Sequence, residues 1–154
     1  MYIIVTTNKA LAAEAKKIGA NVFEDVQVSE PVNRFATQTY GEGEMKIINL
    51  MTTLAIKPNL KGYDYITYIM TSCVADPKYH QRSMTKEIYP SCAREFETTP
   101  SRVERAIRHA LERSFQEVPD RYFQIFKRNL DEQPTNSEFI SMMSQHLHKP
   151  VNAV

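Results

Sequence analysis

The chain has little of several features that mark particular classes of protein. It contains only two cysteines, Cys73 and Cys92, which lie far apart and in no zinc-binding spacing. Reduced thiols in a cytoplasmic protein are the simplest interpretation of this pair. No apolar run approaches the roughly 18 residues of a membrane-spanning helix, and the first residues lack the basic lead and apolar core of a signal peptide. These absences predict a cytoplasmic protein with no membrane partner.

Motifs for catalysis and for metal binding are also scarce. The sequence has no G-x-S-x-G motif, no glycine-rich phosphate loop and no zinc spacing. His146 and His148 have the spacing of a metal pair, but two histidines in a frayed tail explain them more simply. Asp131-Glu132 is typical of a solvated helix end. We therefore predict no catalytic residue, no metal and no cofactor, and we do not expect an enzyme.

The charge is nearly balanced, with 19 basic and 18 acidic residues and a net charge of +1. This balance excludes capture of nucleic acid by the whole surface, but it allows a local basic patch. Hydrophobic residues make up 42% of the chain, which is normal for a globular protein. A chain of this size can bury a core without help from disulfides or metals.

The chain divides into a short mixed segment and a longer helical part. Residues 2–6 predict a strand, Asn8 is a suitable cap for a helix through Lys17, and Asn21–Val28 predicts a second strand. The run Gly41-Glu42-Gly43-Glu44 is typical of a linker. From Met45 onward the apolar pattern is almost entirely helical. We therefore predict a β-α-β segment at residues 1–43 and an all-helical domain at residues 44–154.

Helical periodicity predicts six helices in the longer part. Pro90 lies inside the third, so it must either kink that helix or begin a new one in its first turn. The predicted ranges are Lys46–Ile56, Tyr63–Val74, Ser83–Phe96, Ser101–Phe115, Arg121–Leu130 and Thr135–Leu147.

The helix from Ser101 carries an apolar face and an opposite, strongly basic face. Thr99 or Ser101 is suited to cap its start. Arginine side chains match the O6 and N7 atoms of guanine in the major groove, and a glutamate can accept from N4 of cytosine. The apolar face comprises Val103, Ala106, Ile107, Ala110 and Leu111; the opposite face comprises Ser101, Arg102, Arg105, Arg108, His109 and Glu112, with Glu104 on its flank.

A short helix and a turn precede this basic helix, which is the order of a helix-turn-helix motif. Pro90–Phe96 predicts the first helix, and Ala93 is small enough for two helices to cross closely there. The turn is less typical, because Glu97 stands where a glycine is frequent. Periodicity alone is explained equally well by a solvated helix with Glu104–Arg108 and Arg108–Glu112 pairs.

The run Thr98–Ala110 resembles the recognition-helix segment of the C-terminal effector domain of the stage-zero sporulation response regulators, the sporulation master regulators of endospore-forming bacteria. Three further segments agree in the right order, and the resemblance covers roughly Lys46 to His148. These segments are Lys61-Gly62-Tyr63-x-Tyr65, Thr85-Lys86-x-Ile88-Tyr89-Pro90 and Pro134-Thr135-Asn136-Ser137-Glu138-Phe139-Ile140.

This resemblance implies a mainly α fold, a multi-helix effector domain containing a helix-turn-helix, here preceded by the short β-α-β segment. It implies sequence-specific transcription regulation through binding of double-stranded DNA at TGTCGAA-type boxes. It also implies a homodimer, at least on tandem DNA sites, with RNA polymerase as a further candidate partner. By position, Glu104 and Arg105 are implied to reach base edges, Ser101, Arg102, Arg108 and His109 to contact bases or phosphates, and Lys86 to lie near the DNA backbone.

The beginning of the chain departs from the family. A phosphoacceptor receiver domain needs an acidic cluster after its first strand, and here Thr6-Thr7-Asn8 follows that strand. Residues 1–40 are also too few for a complete receiver, so we expect no control by receiver phosphorylation. The alternative is a protein-interaction module, or an antagonist of a full-length regulator, that has lost operator binding. The retained Glu104, Arg105, Arg108 and His109 favour the DNA-binding function.

Overall fold

The computed structural model describes residues 3–5, 21–23 and 41–149, and the chain forms two compact units, Met1–Thr39 and Tyr40–Val154. In the first unit, strands β1 (Ile3–Val5) and β2 (Asn21–Phe23) pair in parallel, with Ile4 opposite Val22. The predicted helix from Asn8, and the predicted continuation of the second strand to Val28, lie outside the described residues.

The second unit is helical, as the sequence predicts, and residues 41–149 contain no strand. None of the helices in the described part of the chain is long and apolar enough to cross a membrane. The α-helices of this unit are α1 (Glu42–Thr53), α2 (Lys61–Ala75), α3 (Tyr89–Glu95), α4 (Pro100–Glu117), α5 (Pro119–Phe126) and α6 (Asn136–Leu147). A 3-10 turn at Tyr79–Gln81 and a π-helix at Met84–Ile88 connect α2 to α3.

Two predicted boundaries are wrong. The predicted linker at residues 41–44 is instead the beginning of α1, where Glu44 accepts a hydrogen bond from the Gly41 amide at 3.0 Å. Glutamates in a first turn are favourable because they face the positive end of the helix dipole. The helix predicted at residues 121–130 starts earlier and ends at Phe126, because Lys127 adopts a left-handed conformation with φ of 55°.

Pro90 begins a new helix, which is one of the two outcomes that its position predicts. The π-helix at Met84–Ile88 is capped by Ser83, whose hydroxyl accepts from the Lys86 amide at 3.3 Å. Helix α3 follows directly, and Pro90 lies in its first turn. A proline lacks the N–H that would otherwise donate to the preceding π-helical turn, and it is tolerated in the first turn of a helix better than further along it.

The predicted apolar stripes form one core. Both cysteines are fully buried in it, and burial raises the pKa of Cys73 to about 11 and of Cys92 to about 12, as expected for core thiols. The side chains at its centre come from every α-helix of the unit and include Met51, Leu54, Ile66, Ile69, Met70, Cys92, Ile107, Leu111, Tyr122, Phe139 and Ile140.

Candidate nucleic-acid interface

Helix α4 begins where the sequence suggests, with Thr99 as its cap. The Thr99 hydroxyl accepts from the Arg102 amide at 3.4 Å, and Pro100 lies in the first turn. Ser101, the alternative cap, is already inside the helix. Ser101 and Arg102, in the first turn of α4, are both exposed.

The two faces of α4 are divided as the periodicity predicts. Val103, Ile107, Ala110 and Leu111 are buried, whereas Ala106 is only partly covered. Glu104 is partly buried on the flank between the two faces. The opposite face lies in solvent and presents Ser101, Arg102, Arg105, Arg108, His109 and Glu112.

Only one of the two predicted ion pairs is present on α4 among the described residues. Arg108 lies 3.4 Å from Glu104, one turn away, and their side chains are 59% and 35% exposed. Exposed pairs of this kind contribute little to stability. In the described part of the chain neither Arg102 nor Arg105 has an ion-pair partner, so α4 carries accessible positive charge.

Lys86 lies on a different element from the other predicted site residues. It is exposed within the π-helix that precedes α3. Its neighbour Thr85 and residues at the start of α4 line one groove, whose walls are Thr85, Tyr89, Pro100, Ser101 and Glu104. The structure therefore brings the segment that contains Lys86 alongside the first turn of α4.

Helix α3 ends in a Schellman motif, which forms the turn before α4. The Thr98 amide donates to the Ala93 carbonyl at 2.9 Å, and the Glu97 amide donates to the Arg94 carbonyl at 3.4 Å. This motif requires a left-handed residue after the helix, and Glu97 has a φ of 51°. Glu97 therefore adopts, with backbone strain, the left-handed conformation that a glycine would adopt at this position without strain.

Replacing Glu97 with glycine is expected to raise the free energy of unfolding by about 1 kcal/mol. The left-handed conformation costs a non-glycine residue about 1–2 kcal/mol, and the greater freedom of glycine in the unfolded chain offsets part of the gain. Chemical denaturation of both proteins measures the difference. Glu97→Ala is the matched control, since it removes the charge and keeps the Cβ; equal stabilisation by both variants would show that charge, not backbone strain, is responsible.

Sequence reasoning gave no role to the residues that hold α4 in place. Gly62 of α2 lies directly against α4, where an added Cβ would overlap the Ala106 carbonyl oxygen. Asn136 of α6 donates to the Glu104 carbonyl and to the Tyr89 hydroxyl, each at 3.0 Å. Burial raises the pKa of Tyr89. One signal was available for Asn136: it shares the apolar stripe of α6 with Phe139, Ile140 and Met143.

The two C-terminal histidines belong to α6 and the residue after it, rather than to a frayed tail. His146 is partly buried with its ring against Phe126, and burial lowers its pKa. His148 contacts the Ser144 carbonyl through Nδ1 at 2.7 Å. Among the described residues, no group of three or more His, Cys, Asp or Glu side chains is placed to hold a metal ion.

The fold and this surface define a helical domain that presents a capped, arginine-rich helix to solvent. Residues 47–147 match the family described as "Sporulation initiation factor Spo0A C terminal". The match covers most of the chain, and the protein belongs to this family. Members of this family are DNA-binding effector domains that regulate transcription in sporulation, and the family is not a class of enzyme.

Proposed function

We propose that this protein is a sequence-specific transcription regulator that binds TGTCGAA-type boxes through a helix-turn-helix formed by α3, the Glu97 turn and α4. The observation that carries the proposal is the exposed face of α4, where Arg102 and Arg105 have no ion-pair partner in the described part of the chain. A helix of this kind fits the major groove, with its N-terminal residues nearest the base edges.

The proposed roles follow from position on α4. Arg105 lies opposite the buried stripe and reaches a guanine, while Glu104 accepts from a cytosine N4 on the flank. Arg108 neighbours Glu104 and orients its carboxylate. The remaining groups contact bases or phosphates close to the helix: Ser101, Arg102 and His109, with Lys86 on the DNA backbone beside α3.

Equilibrium binding to a duplex with one box and to a scrambled duplex tests this function. We expect the protein to bind the box duplex clearly more tightly than the scrambled duplex. We also expect its affinity for DNA to fall steeply as the salt concentration rises, although the net charge is only +1. Three phosphate contacts would lower log affinity by about 2.7 per tenfold rise in salt, at roughly 0.9 for each phosphate. Equal affinity for both duplexes would favour the alternative, a protein-interaction module without operator binding.

The proposed regulation does not use receiver phosphorylation. Thr6-Thr7-Asn8 offers no carboxylate after β1, and phosphoryl transfer to an aspartate needs a cation to neutralise developing charge. We propose that residues 1–40 act by contact and join two effector domains on tandem boxes, which raises their effective concentration. RNA polymerase is the further proposed partner of the DNA-bound form.

Deletion of residues 1–40 is expected to weaken binding to tandem boxes while leaving the affinity for a single box unchanged. Sedimentation of both proteins shows whether the segment assembles two chains. A truncated protein with the same number of chains per particle and the same tandem-box affinity as the full chain would contradict the assembly role. Transfer of label from a small phosphodonor to the intact protein would contradict independence from phosphorylation.

A further inference from the structure

We propose that Asn136, the first residue of α6, is a positioning residue that fixes the orientation of α4 against α3; this inference rests on the function proposed above. Its Nδ2 donates to the backbone carbonyl of Glu104 and to the hydroxyl of Tyr89, each at 3.0 Å. A single amide group therefore joins α6 to both helices of the proposed DNA-binding motif.

The chemistry of the partners determines the orientation of this amide. A backbone carbonyl can only accept, so the NH2 group of Asn136 must face Glu104. Asn136 is only 7% exposed, and its Oδ1 is buried with no hydrogen-bond partner among the described residues. The NH2 group of Asn136 donates both of its hydrogens to residues of other helices, while its Oδ1 has no hydrogen-bond partner among the described residues. This arrangement serves α4 rather than the local structure of α6.

A second contact from the same segment supports the assignment. Gln133 donates through Nε2 to the Arg108 carbonyl at 3.3 Å, one turn further along α4. Asn136 and Gln133 thus hold backbone carbonyls on two successive turns of α4, and these belong to the two residues whose side chains form the Glu104–Arg108 pair. A rotation of α4 about its axis would break both hydrogen bonds. The side chains proposed to read bases are therefore presented at a fixed angle.

The variant Asn136→Asp separates this role from the stability of α6. An ionised aspartate has nearly the shape of asparagine but cannot donate a hydrogen bond. It also suits the start of a helix because of the helix dipole. The matched control is Thr135→Ala, which removes the cap that accepts from the Glu138 amide at 3.3 Å. In the described structure that hydroxyl makes no hydrogen bond to α4.

Hydrogen exchange of the α4 amides and the ratio of affinities for box and scrambled duplexes are measured for both variants and the wild type. We expect N136D to lower the ratio by about tenfold, the size of one lost base contact, and to speed exchange in residues 100–108. T135A should lower the unfolding temperature but leave the exchange of the α4 amides and the ratio of affinities unchanged. At pH 5 the buried aspartate gains a proton, because burial raises its pKa, and exchange in N136D should approach that of the wild type measured at the same pH.

Exchange in α4 that is the same for N136D and T135A would overturn the positioning role, whatever the DNA measurements show. The positioning role would also be overturned if both variants lost preference for the box and the loss in each were proportional to its loss of stability. A wild-type protein that does not prefer the box contradicts the proposed function instead, and the exchange comparison then still decides whether Asn136 positions α4.

Discussion

Replacing Gly62 with alanine is expected to lower the free energy of unfolding by about 2 kcal/mol. An ideal Cβ at this position would overlap the Ala106 carbonyl oxygen and lie 2.7 Å from the Cβ of Ala110. Backbone atoms of α4 cannot move aside as a side chain can, so α2 and α4 must separate. Overlap with backbone atoms places the cost of overpacking at the upper end of its usual range, about 3 kcal/mol, and the better helix propensity of alanine returns about 1 kcal/mol.

Gly43→Ala is the matched control, because it also adds one methyl group to a helical glycine. An ideal Cβ at Gly43 would lie 2.7 Å from a methyl group of Val74, a residue that is 39% exposed and whose side chain can turn away. We expect unchanged or slightly higher stability for this variant in chemical denaturation. Equal stability of G62A and the wild type would show that the close approach of α2 and α4 does not depend on glycine.

Arg105→Ala is expected to weaken binding to the box by about ten- to a hundredfold and binding to scrambled DNA by only about twofold. The reason is that a bidentate contact between arginine and guanine supplies about 1–3 kcal/mol of discrimination. Arg105 is exposed and points away from the buried stripe, so the substitution should leave the unfolding temperature unchanged. Fluorescence anisotropy with both duplexes measures the two affinities.

Arg113→Ala is the matched control for this experiment. Arg113 is an exposed arginine of the same helix, two turns further from the N-terminus of α4. Removing it changes the charge of α4 equally, but we place no base contact there. Equal losses on both duplexes for R105A would identify Arg105 as a phosphate contact, and equal effects of R105A and R113A would identify a general effect of charge.

Much of the helical domain could be predicted from the sequence because the evidence for its helices is local. Val103, Ile107 and Leu111 recur at helical spacing, and this spacing alone determines which side of α4 is buried. The same periodicity determines that Arg105 faces solvent. The segment before α3 was harder to predict, since a π-helix at Met84–Ile88 and an α-helix after it share one continuous apolar pattern.

The boundaries were predicted less well because the competing signals act over only a few residues. Gly41 and Gly43 suggested a linker, but Gly41 lies just before α1 and Gly43 is tolerated in its first turn beside Val74. Lys127 ends α5 by adopting a left-handed conformation that its residue type does not predict. In both places the local sequence preference is too weak to predict the boundary.

The sequence by itself determined the family, the buried and exposed faces of α4, and the charge that α4 presents, because these depend on neighbours along one helix. Only the tertiary structure decided how α4 is held. Gly62 contacts α4 at Ala106, which lies 44 residues further along the chain. Asn136 contacts α4 at Glu104, which lies 32 residues earlier in the chain. A close helix crossing and a shared side-chain amide are contacts between separate helices. No spacing within one helix encodes them.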